Sequence, residues 1–135
     1  MSVDRESDCG LESKEMISDY KQLNVWLKSI ELVTNVYELV KKMPREELYS
    51  LADQIKRSAV SVPSNIAEGS GRNITKEYIQ FLYIALGSAS ELETQLIIGK
   101  NLGFFHDIEM YMKEINDIRK MLNGLINSLK KKEIR

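Results

Sequence analysis

Between residues 48 and 66 the apolar side chains Leu48, Ala52, Ile55, Ala59, Val62 and Ile66 recur at alternating steps of four and three. Such a series falls on one face of a helix, and its phase survives Pro63. A proline removes one backbone donor and presses on the carbonyl four residues back, which costs about 3 kcal/mol in a plain helix interior. The spacing therefore predicts one helix with a bend at Pro63 that neighbouring elements hold in place. Two helices, the second opened by Pro63, are the alternative. Gly69 and Gly71 are expected to end the element.

A second seam, Gln54, Arg57 or Ser58, Ser61, Asn65 and Glu68, carries small or hydrogen-bonding side chains. Buried polar groups normally belong to paired structural networks. In that reading the serines admit another helix and cover the carbonyl freed by the proline, while Asn65 and Glu68 satisfy the backbone and neighbouring helices. The competing reading is a ligand site built from Arg57, Asn65, Glu68 and Arg72. Neither contains a catalytic set, because no base stands near a plausible nucleophile and no strained strand-to-helix turn is present. Phosphate-binding glycine loops are absent too.

A chain of 135 residues forms one domain with one core. With 43% hydrophobic and 29% charged residues and only two prolines, it reads as a globular all-α protein. No run of about eighteen apolar residues and no basic-then-apolar leader occurs, so neither a membrane span nor a secretory signal is expected and a cytoplasmic location follows by default. Cys9 and His106 are each the single residue of their type. Hence no internal disulfide, metal site or cofactor is expected.

In chain order, residues 1–20 read as a mobile N-terminal arm, rich in Asp and Glu, with a short helix over Leu11 to Ile17 as the alternative if Leu11, Met16 and Ile17 find a groove. Residues 21–132 form the helical body and 133–135 a tail. The first helix spans Asn24 to Met43, with one seam of Trp26, Ile30, Val33, Tyr37 and Val40 and another of Val25, Ser29, Leu32, Val36, Leu39 and Met43. Trp26 is in phase with Ile30 and Val33 and reads as core, while Glu31, Asn35, Glu38, Lys41 and Lys42 make the wet face. Pro44 stops this helix and opens the next, Arg45 to Glu68, at its first turn. So short a connection makes the two an antiparallel hairpin.

Thr75 reads as the N-cap of a third helix, Lys76 to Leu102, with Gly103 ending it in the left-handed position. Its seam is Tyr78, Leu82, Ala85, Ala89, Leu92 and Leu96, beside a strip of Gly87, Ser88, Glu91 and Gln95. That strip is expected to meet Ser61 and Asn65, with Arg57 or Arg72 neutralising Glu91. Asp107 or His106 caps the fourth helix, Ile108 to Lys131. There Ile108, Tyr111, Ile115, Ile118, Leu122, Leu125 and Leu129 keep heptad phase, widened by Met112, Met121 and Ile126. The apolar widths of the first and fourth helices exceed what one bundle needs, which predicts a homo-oligomer.

Nineteen basic against twenty acidic residues and a pI near 5.9 do not describe a free-standing nucleic-acid binder. Two clusters nevertheless stand out: Lys56, Arg57, Arg72 and Lys76 around the central stretch, and Lys130, Lys131 and Lys132 with Arg135 at the C-terminal end. Repeated in a homo-oligomer, each becomes a multivalent phosphate contact. A solvated helix end that complements its own dipole is the competing account.

The runs Gln54-Ile-Lys-Arg, Ser61-Val-Pro-Ser-Asn-Ile-Ala-Glu-Gly, Arg72 and Ile84-Ala-Leu-Gly-Ser-Ala-Ser-Glu-Leu-Glu resemble the signature of the four-helix-bundle proteins encoded in intervening sequences of bacterial 23S ribosomal RNA genes. The match spans roughly Tyr20 to Lys131; the accessory variability proteins of diversity-generating retroelements share the same fold and resemble this chain less closely. The resemblance implies an up-and-down antiparallel four-helix bundle that assembles into a ring, typically a homopentamer, with nucleic-acid association and no known catalysis. Two functions follow as expectations. One is a non-enzymatic oligomer that contacts RNA or DNA through backbone phosphates. The other is a protein-binding scaffold, such as an accessory subunit of a reverse transcriptase.

Overall fold

The computed structural model describes residues 20–134. Among them every regular element is helical: α1 (Asn24–Val40), α2 (Leu51–Ser70), α3 (Thr75–Asn101) and α4 (Glu109–Ile134), with 3-10 turns at Tyr20–Gln22 and Arg45–Glu47. The expected arm and its alternative helix over Leu11 to Ile17 lie, apart from Tyr20, outside the described residues. Neighbours run antiparallel, α1 beside α2, α2 beside α3, α3 beside α4, and α4 closing back on α1. Cross-links fix these directions. Ser58 meets Gln95 and Ser61 meets Ser88, while Glu93 meets Arg119 and Tyr83 meets Lys130.

The four faces turned inward supply the core. Leu32 and Val36, Ile55, Ala59, Val62 and Ile66, Leu82, Ala85, Ala89, Leu92 and Leu96, and Ile115 and Leu122 are all wholly buried. The seam first read from α2 is therefore the core seam, apart from Leu48, which is exposed in the turn before it. In α1 it is the second seam, Val25 to Leu39, that is buried. Trp26 is half-buried and Ile30 and Tyr37 are exposed, so this row sits at the rim of the core.

Helix ends differ from expectation where local sterics decide them. The residue before a proline is pushed toward extended backbone, so α1 stops at Val40, and Lys42 and Met43 turn off with N–H bonds to the Leu39 and Val40 carbonyls. Pro44 itself is extended (φ −61°, ψ 151°) and precedes a 3-10 turn. The helix begins only at Leu51, after a Ser50 whose hydroxyl is bonded to Glu47. Pro63 lies buried inside one unbroken helix, which removes the two-helix alternative. Gly69 does not end α2 but is buried within it, because a Cβ there would stand 2.7 Å from Phe81 Cβ on α3. Thr75 is the first helical residue and extended Ile74 precedes it, with no side-chain cap.

Gly103 does take φ 86°. Its N–H reaches the Lys100 carbonyl and that of Phe104 the Gly99 carbonyl, the paired bonds of a Schellman ending. Asp107, not His106, accepts from the Glu109 N–H at the start of α4. That helix continues through Ile134, into the residues read as a tail. Its width is consumed internally, since Tyr111, Met112, Met121, Leu125 and Leu129 pack on the core. Among the described residues Met110 is its one large exposed apolar side chain. The unpartnered apolar surface lies instead on α1, α2 and α3, at Leu27, Ile30, Val60, Ile84 and Ile98 among others. No described helix is long and apolar enough to cross a membrane.

Candidate nucleic-acid interface and the strip between helices

Small side chains along α2 and α3 bring these helices together, and polar groups between them find partners. Ser61 Oγ and Ser88 Oγ are 2.8 Å apart. Asn65 Nδ2 donates to the Ser61 carbonyl at 2.8 Å and to its hydroxyl at 2.9 Å. One turn earlier, buried Ser58 donates to Gln95 Oε1 at 2.7 Å and also lies 3.1 Å from the Ile55 carbonyl. These hydroxyls do not turn to the Ala59 carbonyl that Pro63 frees.

The strip is narrower than the sequence suggested. Gln54 is exposed, and Arg57 points outward into an ion pair with Asp53 at 2.8 Å. Glu68 is likewise exposed and pairs with Arg72 at 2.9 Å instead of entering the interface. Glu91 is exposed and needs no neutralising arginine. The residues proposed as a ligand site do not converge, since Arg57 and Arg72 are about 22 Å apart along the chain of helical turns. The Ser58–Gln95 pair was hidden because the 3.6-residue spacing left Arg57 and Ser58 equally placed.

The same length divides the first basic cluster. Lys56 and Arg57 lie in the first half of α2, where Lys56 Nζ sits 5.5 Å from the Tyr37 ring centroid. Arg72 follows the end of α2, its guanidinium 4.7 Å from the Phe81 ring, and Lys76 is exposed in the first turn of α3. Antiparallel pairing of α3 with α4 brings the C-terminal lysines to this end. Lys130 Nζ is 2.8 Å from Tyr83 Oη and 5.3 Å from the ring centroid. An ammonium so placed lies beyond the phenol's polar edge, so it donates a hydrogen bond and does not cover the face. Lys131 and Lys132 are exposed. The structure thus regroups Arg72, Lys76, Lys130, Lys131 and Lys132 at one end and leaves Lys56 and Arg57 apart.

Between α1 and α4 lies a polar contact that sequence reading missed. Asn35, placed there on the wet face, donates to Glu114 Oε2 at 2.9 Å. Glu114 Oε1 is shielded from solvent and has no hydrogen-bond partner among the described residues. Burial holds this carboxyl above the ordinary carboxylate range, with Glu31 and Asp117 pushing the same way and Asn35 and Lys28 opposing. No group of three or more potential metal ligands occurs among the described residues.

A family model described as 23S rRNA-intervening sequence protein matches residues 21–124. The fold is similar to the crystal structure of a protein of unknown function from the S23 ribosomal protein family of Bacteroides thetaiotaomicron. The TM-score is 0.70 at 28% identity, over 76% of this chain and 97% of that one. No curated protein matches.

Proposed function

The chain belongs to the 23S rRNA-intervening sequence protein family, and from that premise we propose a non-enzymatic, ring-forming bundle that associates with RNA or DNA through repeated basic ends. The observation that carries this reading is the regrouping of Arg72, Lys76, Lys130, Lys131 and Lys132 at one end of the bundle, through the α3–α4 pairing that Lys130 and Tyr83 mark. A nearly neutral subunit attracts polyanions weakly, but a ring repeats this end around its axis and multiplies the contact. Contacts of this kind go to backbone phosphates and carry no base readout.

Assembly is supported by the outward strip of α3. Ile84 is 49% exposed and Ile98 42%, Leu102 just past the helix is 61% exposed, and Gly87 between the two isoleucines has open space where a Cβ would stand. Unpartnered apolar rows of this kind mark interfaces, and a ring pairs one such patch with a different patch of the next subunit. Five subunits is the number that the family resemblance implies. Light scattering at micromolar concentration, followed by a labelled-RNA shift in low salt, tests both parts. A ring that shifts RNA supports the reading. A monomer contradicts the assembly, and a ring indifferent to RNA and DNA turns the reading toward a protein-binding scaffold.

A further inference from the structure

Two apolar surfaces stand uncovered among the described residues, and they differ in shape. One is a ridge. On the outward side of α3, Ile84, Gly87, Glu91, Thr94 and Ile98 recur at steps of three and four and share one stripe, about 21 Å long. The isoleucines at its ends are exposed, Gly87 leaves room for close approach, and Glu91 is its one charge. The other is a groove. Where α1 meets α2, Ile30, Val33, Val60 and Pro63 wall a hollow that Val60 carries into a second, and Lys56 and Tyr37 carry that into a third. From Ala67 to Ala52 the groove follows α2 for about 22 Å. Lys41 and Arg57 on its walls are held by Glu38 and Asp53. Of the remaining cations Arg45 belongs to the far end, and Lys56, midway along, faces the Tyr37 ring and no carboxylate among the described residues. Glu91 is exposed and makes no ion pair among them either.

Resting on the ring-forming reading, we propose that the α3 stripe of one copy seats in the α1–α2 groove of the next, with Glu91 paired to Lys56 across the contact. Ridge and groove match in length, and their register follows from symmetry. A ring made by rotation about an axis along the bundle leaves heights unchanged, so residues level within one subunit stay level across the contact. Ser58 meets Gln95 and Ser61 meets Ser88. Glu91, midway between Ser88 and Gln95, is therefore level with the turn of α2 from Ser58 to Ser61, within reach of the long Lys56 side chain. Ile84, one turn beyond Ser88, comes level with Ser64 at the apolar end of the groove, and Ile98 with Ile55, where Tyr37 and Ala52 are the walls. Gly87 falls near the height of exposed Val60 and lets the ridge close over it. Burial of the isoleucines and attraction of the charges act together. Charge also selects this pairing over a two-fold one. Stripe against stripe sets Glu91 toward Glu91 and groove against groove sets Lys56 toward Lys56, whereas stripe in groove joins opposite signs.

Cross-linking between unlike chains tests the register. Full-length chains carrying Cys9→Ser with Ser64→Cys, in the groove, are refolded with chains carrying Cys9→Ser with Ile84→Cys, on the stripe. A short bis-maleimide should join them into a covalent dimer, and Ile98→Cys in place of Ile84→Cys should give about tenfold less. Lys56→Glu and Glu91→Lys, both outside the core, should each raise the concentration for half-assembly in light scattering by about tenfold, and the chain carrying both should return to within about threefold of the parent. A covalent dimer from Ile84→Cys chains alone marks a two-fold contact and overturns the proposal. So does a ring in which Ser64→Cys joins Ile98→Cys in preference to Ile84→Cys, or in which the two charge reversals add up in the double variant. Those results leave the ring itself standing. A monomeric parent overturns this contact and the ring-forming reading together.

Discussion

Ser61 and Ser88 join α2 to α3 through a hydroxyl-to-hydroxyl hydrogen bond of 2.8 Å, and Asn65 donates into the Ser61 oxygen from one turn away. Removing the Ser61 hydroxyl therefore leaves that of Ser88 short of its partner and Asn65 with only its bond to the Ser61 carbonyl, at a half-buried interface. Ser61→Ala is expected to cost about 1 to 2 kcal/mol in urea unfolding. Removing Ser88 as well should cost less than the two single losses together, because the orphaned hydroxyl goes with it. Strict additivity would show that the two serines do not act as a pair. Glu68→Ala, which breaks only an exposed pair, should change stability by less than about 1 kcal/mol.

Gly69 and Gly124 make opposite predictions for one substitution. A methyl at Gly69 meets Phe81 Cβ at 2.7 Å and Tyr78 Cδ1 at 3.0 Å, while one at Gly124 meets nothing within 4 Å. Alanine gains about 1 kcal/mol over glycine in a helix interior. That gain should appear in full at Gly124→Ala. At Gly69→Ala overpacking, about 1 to 3 kcal/mol, should reverse the sign. Thermal melts of the two variants decide it, and equal stabilisation would mean that α2 and α3 are not so close there.

Much of the fold was legible because the core seams are long and keep phase. The run from Ala52 to Ile66 needed no tertiary knowledge, and neither did the ending at Gly103. What the sequence hid were choices between adjacent helical positions and distances along a helix. Arg57 and Ser58 differ by one residue, yet one faces water and the other Gln95. Lys56 and Arg72 look neighbourly in the chain, yet four turns of helix separate them, whereas Lys76 and Lys130 are distant in sequence and share an end. Asn35 looked solvated because nothing local reveals Glu114 opposite.

Glu114 predicts a pH dependence. Its carboxyl holds its proton to higher pH in the folded state than in the unfolded chain, with burial as the chief cause. The stabilisation from that proton is present below the ordinary carboxylate range and is lost as pH rises through the folded-state value. Glu114→Gln should therefore melt above the parent at neutral pH, with the gap closing in acid. A gap that stays constant from pH 7 to pH 4 would show that the carboxylate is not disfavoured in its place.

The most direct measurement of the central claim is the affinity of the assembled protein for labelled single-stranded RNA as a function of salt. The account predicts a steep fall of log affinity with log salt. The variant carrying Lys130→Gln, Lys131→Gln and Lys132→Gln should bind more weakly, with a slope shallower by about 2. The paired change Lys41→Gln with Lys42→Gln, at the opposite end of α1, should leave both affinity and slope near those of the parent. Binding that ignores salt, or that falls as much with the second variant as with the first, would contradict it.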